Sequence, residues 1–189
     1  RITLVEGDCL AKGRRLSPEA VSALEGAKFK LVANLPYQAA SPLMASLLMH
    51  HPEGSGQWVT IQKEVVDRLV AKPGTKAWGP LTAIVRAFAS ARRIALLPPG
   101  CFWPAPKVTS AMAELVPCAS DSRPSDPDGF ARFVTKLLSQ RRKQIGGILG
   151  HDITTSLGIE AQTRAETLDA GQLLELRDHL PADHHLMQP

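Results

Sequence analysis

The sequence predicts an α/β fold with a mostly parallel sheet, followed by a smaller, all-helical part. Up to residue 117, short apolar and β-branched runs alternate with stretches whose apolar residues have helical spacing, a pattern typical of a sheet covered by helices. Beyond a polar linker rich in Pro, Ser and Asp at 118–129, only helical patterns remain. We therefore predict two domains, at 1–119 and 120–189.

The individual elements follow from local patterns. Apolar runs predict strands at 2–5, 29–33, 57–62, 91–97 and 108–116. Helical spacing predicts helices at about 17–24, 41–50, 63–71, 81–88, 129–139, 141–149, 152–157 and 169–180. Ser-Pro pairs at 17–18 and 41–42 mark two of the helix starts, because proline suits the first helical position. The last two strands have the character of an antiparallel extension.

Composition limits the class of protein. The chain has 189 residues, of which 44% are hydrophobic and 21% charged, the balance of a soluble globular protein. No apolar run reaches the roughly 18 residues that a membrane span needs, and nothing at the start is typical of a secretion signal. Three scattered cysteines favour reduced thiols. We expect a cytoplasmic protein without membrane association, and its net charge of +4 favours an anionic partner.

The stretch Asn34-Leu35-Pro36-Tyr37 directly follows a predicted buried strand. Ligands of parallel sheets bind beyond the carboxyl ends of the strands. Proline disfavours helix at Leu35, so the carbonyls of Leu35 and Pro36 are expected to be free acceptors. With the Asn34 amide and the Tyr37 ring, these acceptors suit a planar base with an exocyclic amine. An ordinary strand-to-helix turn explains the same residues about equally well.

Other catalytic chemistry has little support in the sequence. The adjacent His50-His51 and His184-His185 pairs lack flanking residues at the spacing of metal ligands. No convincing general base is present either. We therefore expect no metal site, and a reaction that depends on positioning.

Five stretches together resemble one family. They are "GDCL" (7–10), "NLPY" (34–37), "QKEVVDRLVAKPGTKAWGPL" (62–81), "PPGCFWPAPKVTSAMAELVP" (98–117) and "QRRKQIGGILG" (140–150). In this order they resemble the KsgA family of ribosomal RNA adenine dimethyltransferases, and they cover nearly the whole chain. The resemblance implies a Rossmann-like core that uses S-adenosylmethionine (SAM), with a small helical domain that binds RNA. It also implies dimethylation of two adjacent adenines in small-subunit ribosomal RNA.

The resemblance implies roles for the residues around the target base. Asn34 matches the asparagine beside both the target amine and the methionine part of SAM, and Leu35 and Pro36 match the residues whose carbonyls face the amine. Tyr37 matches the aromatic that stacks on a flipped base. Phe102 matches a second aromatic that closes on it, although a hydrophobic plug explains Phe102 as well.

Further matches concern the cofactor and the RNA. Asp8 matches an acid that contacts the SAM adenine, and the alternative is a simple turn or helix cap. Arg141, Arg142 and Lys143 are predicted near the start of a helix, where the helix dipole does not favour cations but RNA phosphates do. A solvated charged face is the alternative.

Lys107 is predicted to extend a basic rim around the pocket, together with Lys63, Arg68, Lys72 and Lys76. The chain departs from the family at Gly146-Gly147, where relatives tend to carry basic or polar residues. Two adjacent glycines are expected to weaken the helix there.

Two further expectations concern completeness and rivals. The glycine-rich SAM loop of the family lies before the position of Arg1, so we expect an N-terminally incomplete chain. We also expect a monomer. The first rival function is the large-subunit adenine methyltransferase that confers antibiotic resistance. The second is a non-catalytic RNA-binding factor in ribosome assembly.

Overall fold

The computed structural model describes residues 2–12, 15–24, 26–181 and 183–188. Four strands form one sheet in the order β1-β2-β4-β3. Their bounds are β1 Phe29–Asn34, β2 Gly54–Gln62, β3 Ala89–Leu97 and β4 Ser110–Pro117. Strand β1 runs parallel to β2, whereas β4 runs antiparallel to both β2 and β3.

Eight α-helices in the described residues precede, connect or follow these strands. Before β4 they are α1 Pro18–Leu24, α2 Tyr37–His50, α3 Lys63–Leu69 and α4 Pro80–Phe88. After β4 they are α5 Pro127–Ser139, α6 Ile145–Leu149, α7 His151–Ser156 and α8 Ala170–His179. In the described residues no helix is both long enough and apolar enough to cross a bilayer.

The described part is layered. Helices α2, α3 and α4 pack on one face of the sheet, and α5 and α8 pack on α4. The sheet contributes alternate buried residues, among them Val59, Ile61, Ala113 and Leu115, as expected for strands with one covered face. The buried phenylalanines of α5 belong to the same continuous hydrophobic cluster.

A ladder of side chains crosses the other face of the sheet, with one residue from each strand. Lys30 of β1 lies over the Trp58 ring of β2, 5.5 Å from its centroid. The Trp58 indole donates to Glu114 of β4 at 3.0 Å, and Arg92 of β3 pairs with Glu114. This hydrogen bond from Arg92 lowers the pKa of the Glu114 carboxyl. The ladder couples all four strands on a face that no described helix covers.

Two predictions about the sheet need correction. Residues 2–5 form no strand: they are exposed and pair with none of the described residues, and an apolar, β-branched run makes a strand only where a partner supplies the ladder. The described sheet is also mixed rather than mostly parallel, because only β1 and β2 are parallel. The predicted antiparallel extension by the last two strands is confirmed.

The predicted helix starts are right at Pro18 and wrong at Ser41-Pro42. Helix α2 begins at Tyr37 instead and carries Pro42 inside it. The proline that sets the start is Pro36, whose φ of −56° and ψ of 133° place it just before the first turn. A fixed φ near −65° is compatible with the position just before a helix. Pro36 of the stretch 34–37 therefore starts this helix, and not Pro42.

After residue 122, the regular elements that the structure describes are all helices, as predicted. It is tied to the first part by Asp128, which accepts from Arg15 at 2.5 Å and lies 3.5 Å from the His50 ring. Burial, followed by the charge of Arg15, lowers the pKa of His50. The division into domains at 119/120 stays a prediction, since the hydrophobic core runs through both parts.

Candidate active site

An open cavity of ≈ 390 Å³ lies at the carboxyl end of β1. The stretch Asn34–Tyr37, which we call the motif, and the proline-rich loop before β4 form its walls. Its lining residues are Asn34, Leu35, Pro36, Tyr37, Phe102, Trp103, Pro104, Pro106 and Ser110. The structure therefore brings together all five residues that the sequence assigned to the target base, although 65 positions separate Tyr37 from Phe102.

The motif is held at the end of the sheet by the backbone of Leu35. Its N–H donates to the Thr60 carbonyl of β2 at 3.1 Å, and its side chain is buried. The chain then turns at Pro36 into α2. These contacts fix Asn34 and Tyr37 on either side of an anchored residue, and both side chains remain exposed at the cavity.

The Pro36 carbonyl is not a free acceptor, contrary to the prediction. It accepts from the N–H groups of Ala39 and Ala40 at 3.0 and 3.1 Å, because Pro36 directly precedes the first turn of α2. Within the described residues, no hydrogen bond reaches the Leu35 carbonyl. The backbone acceptor that the motif leaves available is therefore that of Leu35.

Asn34 supplies the side-chain acceptor of the cavity. It is the last residue of β1, paired in register with Thr60 of β2. Its amide makes no hydrogen bond to any described residue. A carboxamide can donate and accept at the same time, so it can bind the amine of one ligand and a polar group of another.

Tyr37 is tethered by Ser110, a contact that sequence reasoning missed. The Tyr37 hydroxyl lies 3.1 Å from the Ser110 hydroxyl oxygen, and either group can donate. Ser110 begins β4 and is 2% exposed, whereas Tyr37 is 38% exposed. The tether holds one edge of the ring and leaves a face open to the cavity. The only sequence signal for Ser110 is its place in the "PKVTSA" stretch.

The proline-rich loop supplies the opposite wall. A short helical turn at Pro99–Cys101 leads to Phe102, which is half-buried. Trp103 follows, joined by a cis peptide bond to Pro104. The structure thus places two aromatic residues, Phe102 and Trp103, together at the cavity.

Asp8 lies on an exposed segment and is not among the residues that line the cavity. One of its carboxylate oxygens accepts from the Leu10 N–H at 2.9 Å. Burial and the neighbouring Asp8 charge raise the pKa of the Cys9 thiol. Asp8 does not follow a strand, contrary to the prediction, because residues 2–5 form none. Its assignment to SAM stays a prediction.

Arg141, Arg142 and Lys143 lie in the turn 140–143 between α5 and α6, which we call the basic turn, and not at a helix start as predicted. Arg141 is engaged inside the protein. Its guanidinium donates to the Glu166 carboxylate at 2.6 Å and to the Thr75 and Lys76 carbonyls at 3.1 and 3.4 Å. This side chain therefore joins the loop before α4 to the turn before α8.

The other predicted RNA-binding cations are more available. Among the described residues, the Lys143 ammonium donates to the neutral Gln140 side chain, at 3.0 Å, and forms no ion pair. Among the residues that the structure describes, none forms an ion pair with Arg142 or Lys107, and both are exposed. These three cations are thus available to a phosphate, whereas Arg141 is engaged inside the protein; the assignment of all four to RNA stays a prediction.

Gly146 has a structural role that the sequence did not reveal. A Cβ at this position would lie 2.8 Å from the Ala161 Cβ and 3.1 Å from the Ala161 carbonyl oxygen. The Gly146 N–H also donates to that carbonyl, at 2.9 Å. Close approach of two backbones therefore explains the glycine. At Gly147 a Cβ would meet nothing within 4 Å.

The described residues contain no group of three or more His, Cys, Asp or Glu side chains that could hold a metal ion. The cavity instead offers an amide, a backbone carbonyl and aromatic faces. Such a set suits a flat, uncharged group with hydrogens to donate.

Comparison with solved structures identifies the class of fold. A dimethyladenosine transferase from Plasmodium falciparum superposes with a TM-score of 0.70 at 24% identity, over 79% of this chain and 66% of that one. The 23S rRNA methyltransferase ErmE superposes with a TM-score of 0.56 at 18% identity, over 82% of this chain and 66% of that one. The fold is that of the Rossmann-like methyltransferases.

The sequence identifies the family within that class. The model of the ribosomal RNA adenine dimethylase family matches residues 1–181, and the chain belongs to this family. A curated relative from Acidithiobacillus ferrooxidans, named ribosomal RNA small subunit methyltransferase A, is 38% identical over 83% of this chain and 61% of its own length. The chain spans about three fifths of the curated relatives that it matches.

Proposed function

We propose that the chain takes part in the SAM-dependent dimethylation of the exocyclic amines of two adjacent adenines in small-subunit ribosomal RNA. The observation that carries the proposal is that Asn34, Leu35, Tyr37 and Phe102 line the same cavity. Family membership and the names of the curated relatives support the same substrate. The proposed setting is the cytoplasm, with the small ribosomal subunit as partner and the enzyme as a monomer.

The proposed methyl transfer depends on hydrogen-bond acceptors for the adenine amine rather than on a general base. The lone pair of an adenine amine is delocalised into its ring, so the amine is a poor nucleophile. Acceptance of its two hydrogens by the Asn34 amide oxygen and the Leu35 carbonyl favours a more tetrahedral nitrogen with an exposed lone pair. Both acceptors lie at the cavity without a partner in the described chain. Fixed orientation then supplies much of the rate.

Aromatic faces complete the proposed site. A base must leave its stack to reach the cavity, and stacking on an aromatic side chain contributes about 1–3 kcal/mol per base. Tyr37 offers its open ring face from α2, while the Ser110 tether restricts its rotation. Phe102 faces the cavity from the opposite wall. The two rings are proposed to hold the adenine between them.

The residues at the site also fit the methyl donor in part. The unpartnered amide of Asn34 suits the polar methionine end of SAM. Asp8 lies outside the cavity, and its proposed contact with the SAM adenine rests on the family resemblance. SAM supplies a methyl group already activated by its sulfonium. The residues of this chain orient the acceptor amine, and a metal has no part in the proposed reaction.

The test uses protein expressed from its complete gene and labelled SAM, incubated in separate reactions with unmethylated small ribosomal subunits and with large-subunit RNA. Digestion of the RNA to nucleosides should reveal labelled dimethyladenosine. We expect Asn34→Ala to lower the rate about 100-fold or more, the scale seen when one positioned hydrogen-bonding group is removed from a reaction centre. Tyr37→Ala should lower it about 5- to 150-fold, the equivalent of ~1–3 kcal/mol of stacking. Gln38→Ala is the matched control, because Gln38 is the exposed neighbour of Tyr37 and does not line the cavity.

Two other outcomes would replace the proposal. Label found only in large-subunit RNA would favour the resistance-type methyltransferase. Tight binding of the small subunit without methyl transfer would favour a non-catalytic assembly factor. In the second case Asn34→Ala should leave binding unchanged, since its proposed work is on the amine.

A further inference from the structure

Trp103 is the most exposed large apolar side chain in the described chain, at 98%. The other two tryptophans are used inside the fold: Trp78 is buried, and Trp58 belongs to the ladder on the sheet. An indole normally stabilises a protein by burying its large apolar surface. Trp103 buries almost none, so the stability of the folded chain does not explain it.

The backbone holds Trp103 outward. Phe102 has the extended conformation, with φ −128° and ψ 152°, and successive side chains of an extended chain point to opposite sides. Phe102 is accordingly half-buried while Trp103 projects into solvent. Prolines at 98, 99, 104 and 106 restrict the loop on both sides. The indole is thus presented by a stiff segment.

The position of Trp103 relates it to the candidate active site. Phe102 and Trp103 both line the cavity, and their opposite orientations make Trp103 its outer edge. Lys107, four residues further on, is exposed and has no ion pair among the described residues. Exposed aromatic side chains combined with cations that track the backbone are typical of sites that bind single-stranded nucleic acid.

We propose that Trp103 is a second stacking site, which receives the base next to the target base in an unpaired RNA strand. The inference rests on the proposed function, because the neighbour of one target adenine is then the other adenine. Tyr37 and Phe102 hold the base in the cavity, and Trp103 stacks on the adjacent purine outside it. Lys107 contacts the phosphate of the same strand. The site thereby favours substrates in which both adenines are unpaired.

Three variants at Trp103 separate stacking from other contacts. Trp103→Phe keeps an aromatic face, Trp103→Leu keeps only apolar surface, and Trp103→Ala keeps neither. We expect Ala and Leu to raise the apparent KM for small subunits at least about fivefold, the loss of ~1 kcal/mol of stacking. Phe should stay within about twofold of the wild type, and kcat should change little, because the indole does not touch the reacting atoms.

The measurement pairs steady-state methyl transfer with equilibrium filter binding of the same subunits, and a thermal melt verifies that each variant is folded. Unchanged KM and binding in Trp103→Ala would overturn the inference and leave the proposed function intact. Equal values for Leu and wild type would also overturn it, since a plain apolar contact would then suffice. If the wild type binds subunits without methylating them, and only Phe retains affinity, the stacking site stands while the proposed function fails.

Discussion

The cavity and the basic turn were both predicted to contact RNA, but their polar groups differ in whether they already have partners within the described chain. At the cavity, the Asn34 amide and the Leu35 carbonyl have no partner in the described chain. In the basic turn, the Arg141 guanidinium donates hydrogen bonds to Glu166 and to two carbonyls of the loop before α4. Residue type is a poor guide to availability, because a cation that suits phosphate suits an internal carboxylate equally well.

The largest expected effect separates the two neighbouring arginines of the basic turn. Arg141→Ala should lower the free energy of unfolding by about 2–3 kcal/mol, because it leaves the Glu166 carboxylate, 18% exposed, without its partner. Arg142→Ala should stay within about 0.5 kcal/mol of the wild type. Urea unfolding measures both. Equal losses would show that the internal bonds of Arg141 contribute little.

The two glycines after the basic turn provide a matched pair. Gly146→Ala should destabilise the protein by about 1–2 kcal/mol, because its Cβ collides with the Ala161 backbone. Gly147→Ala should stabilise it by up to about 1 kcal/mol, since alanine is the better helix former and the space is open. Thermal melts of the two variants give the signs. A tolerated Gly146→Ala would mean that α6 can move away from residue 161.

At the cavity, the tether between Tyr37 and Ser110 should affect the rate of methyl transfer as well as stability. Ser110→Ala removes one hydrogen bond, worth about 0.5–1.5 kcal/mol, and should slow methyl transfer about 2- to 12-fold. Tyr37→Phe removes the same bond and keeps the ring. Because the effects share one contact, the double variant should be no slower than either single variant. Additive losses would show that each hydroxyl acts elsewhere.

The smallest effect concerns the free cations of the basic turn. If Arg142 contacts phosphate, Arg142→Ala should reduce the slope of log affinity against log salt by about one. Arg141→Ala should leave that slope unchanged once folding is restored at low temperature, because its charge is paired with Glu166. Filter binding of small subunits at four salt concentrations measures both slopes. A reduced slope for Arg141→Ala would return it to the RNA surface.

Local patterns predicted most elements of the fold, because amphipathic spacing and helix caps depend on residues that are close together in the sequence. The errors arose where a distant partner decides. Residues 2–5 have a strand composition but no partner in the described chain. Ser41-Pro42 has the form of a helix start, yet Pro36 already starts the helix.

The motifs predicted most residues of the candidate site, and the errors again concern contacts between residues far apart in the sequence or contacts of the backbone. The resemblance assigned Asn34, Tyr37 and Phe102, which do share one cavity. It assigned no role to Ser110, because a hydroxyl at the start of a strand gives no sign of facing a tyrosine 73 residues away. Nor could it show that the Pro36 carbonyl is used by the helix that it precedes.

The hydrophobic core that joins the two parts of the chain determines how the protein should lose its structure. Phe130, Phe133 and Leu137 of α5 are fully buried, in a layer that packs on α4. Neither part can melt without exposing the apolar surface of the other, so heating should give one cooperative transition, with equal calorimetric and van't Hoff enthalpies. For the same reason, a protease cut in the linker at 118–126 should leave both pieces associated until that transition is reached.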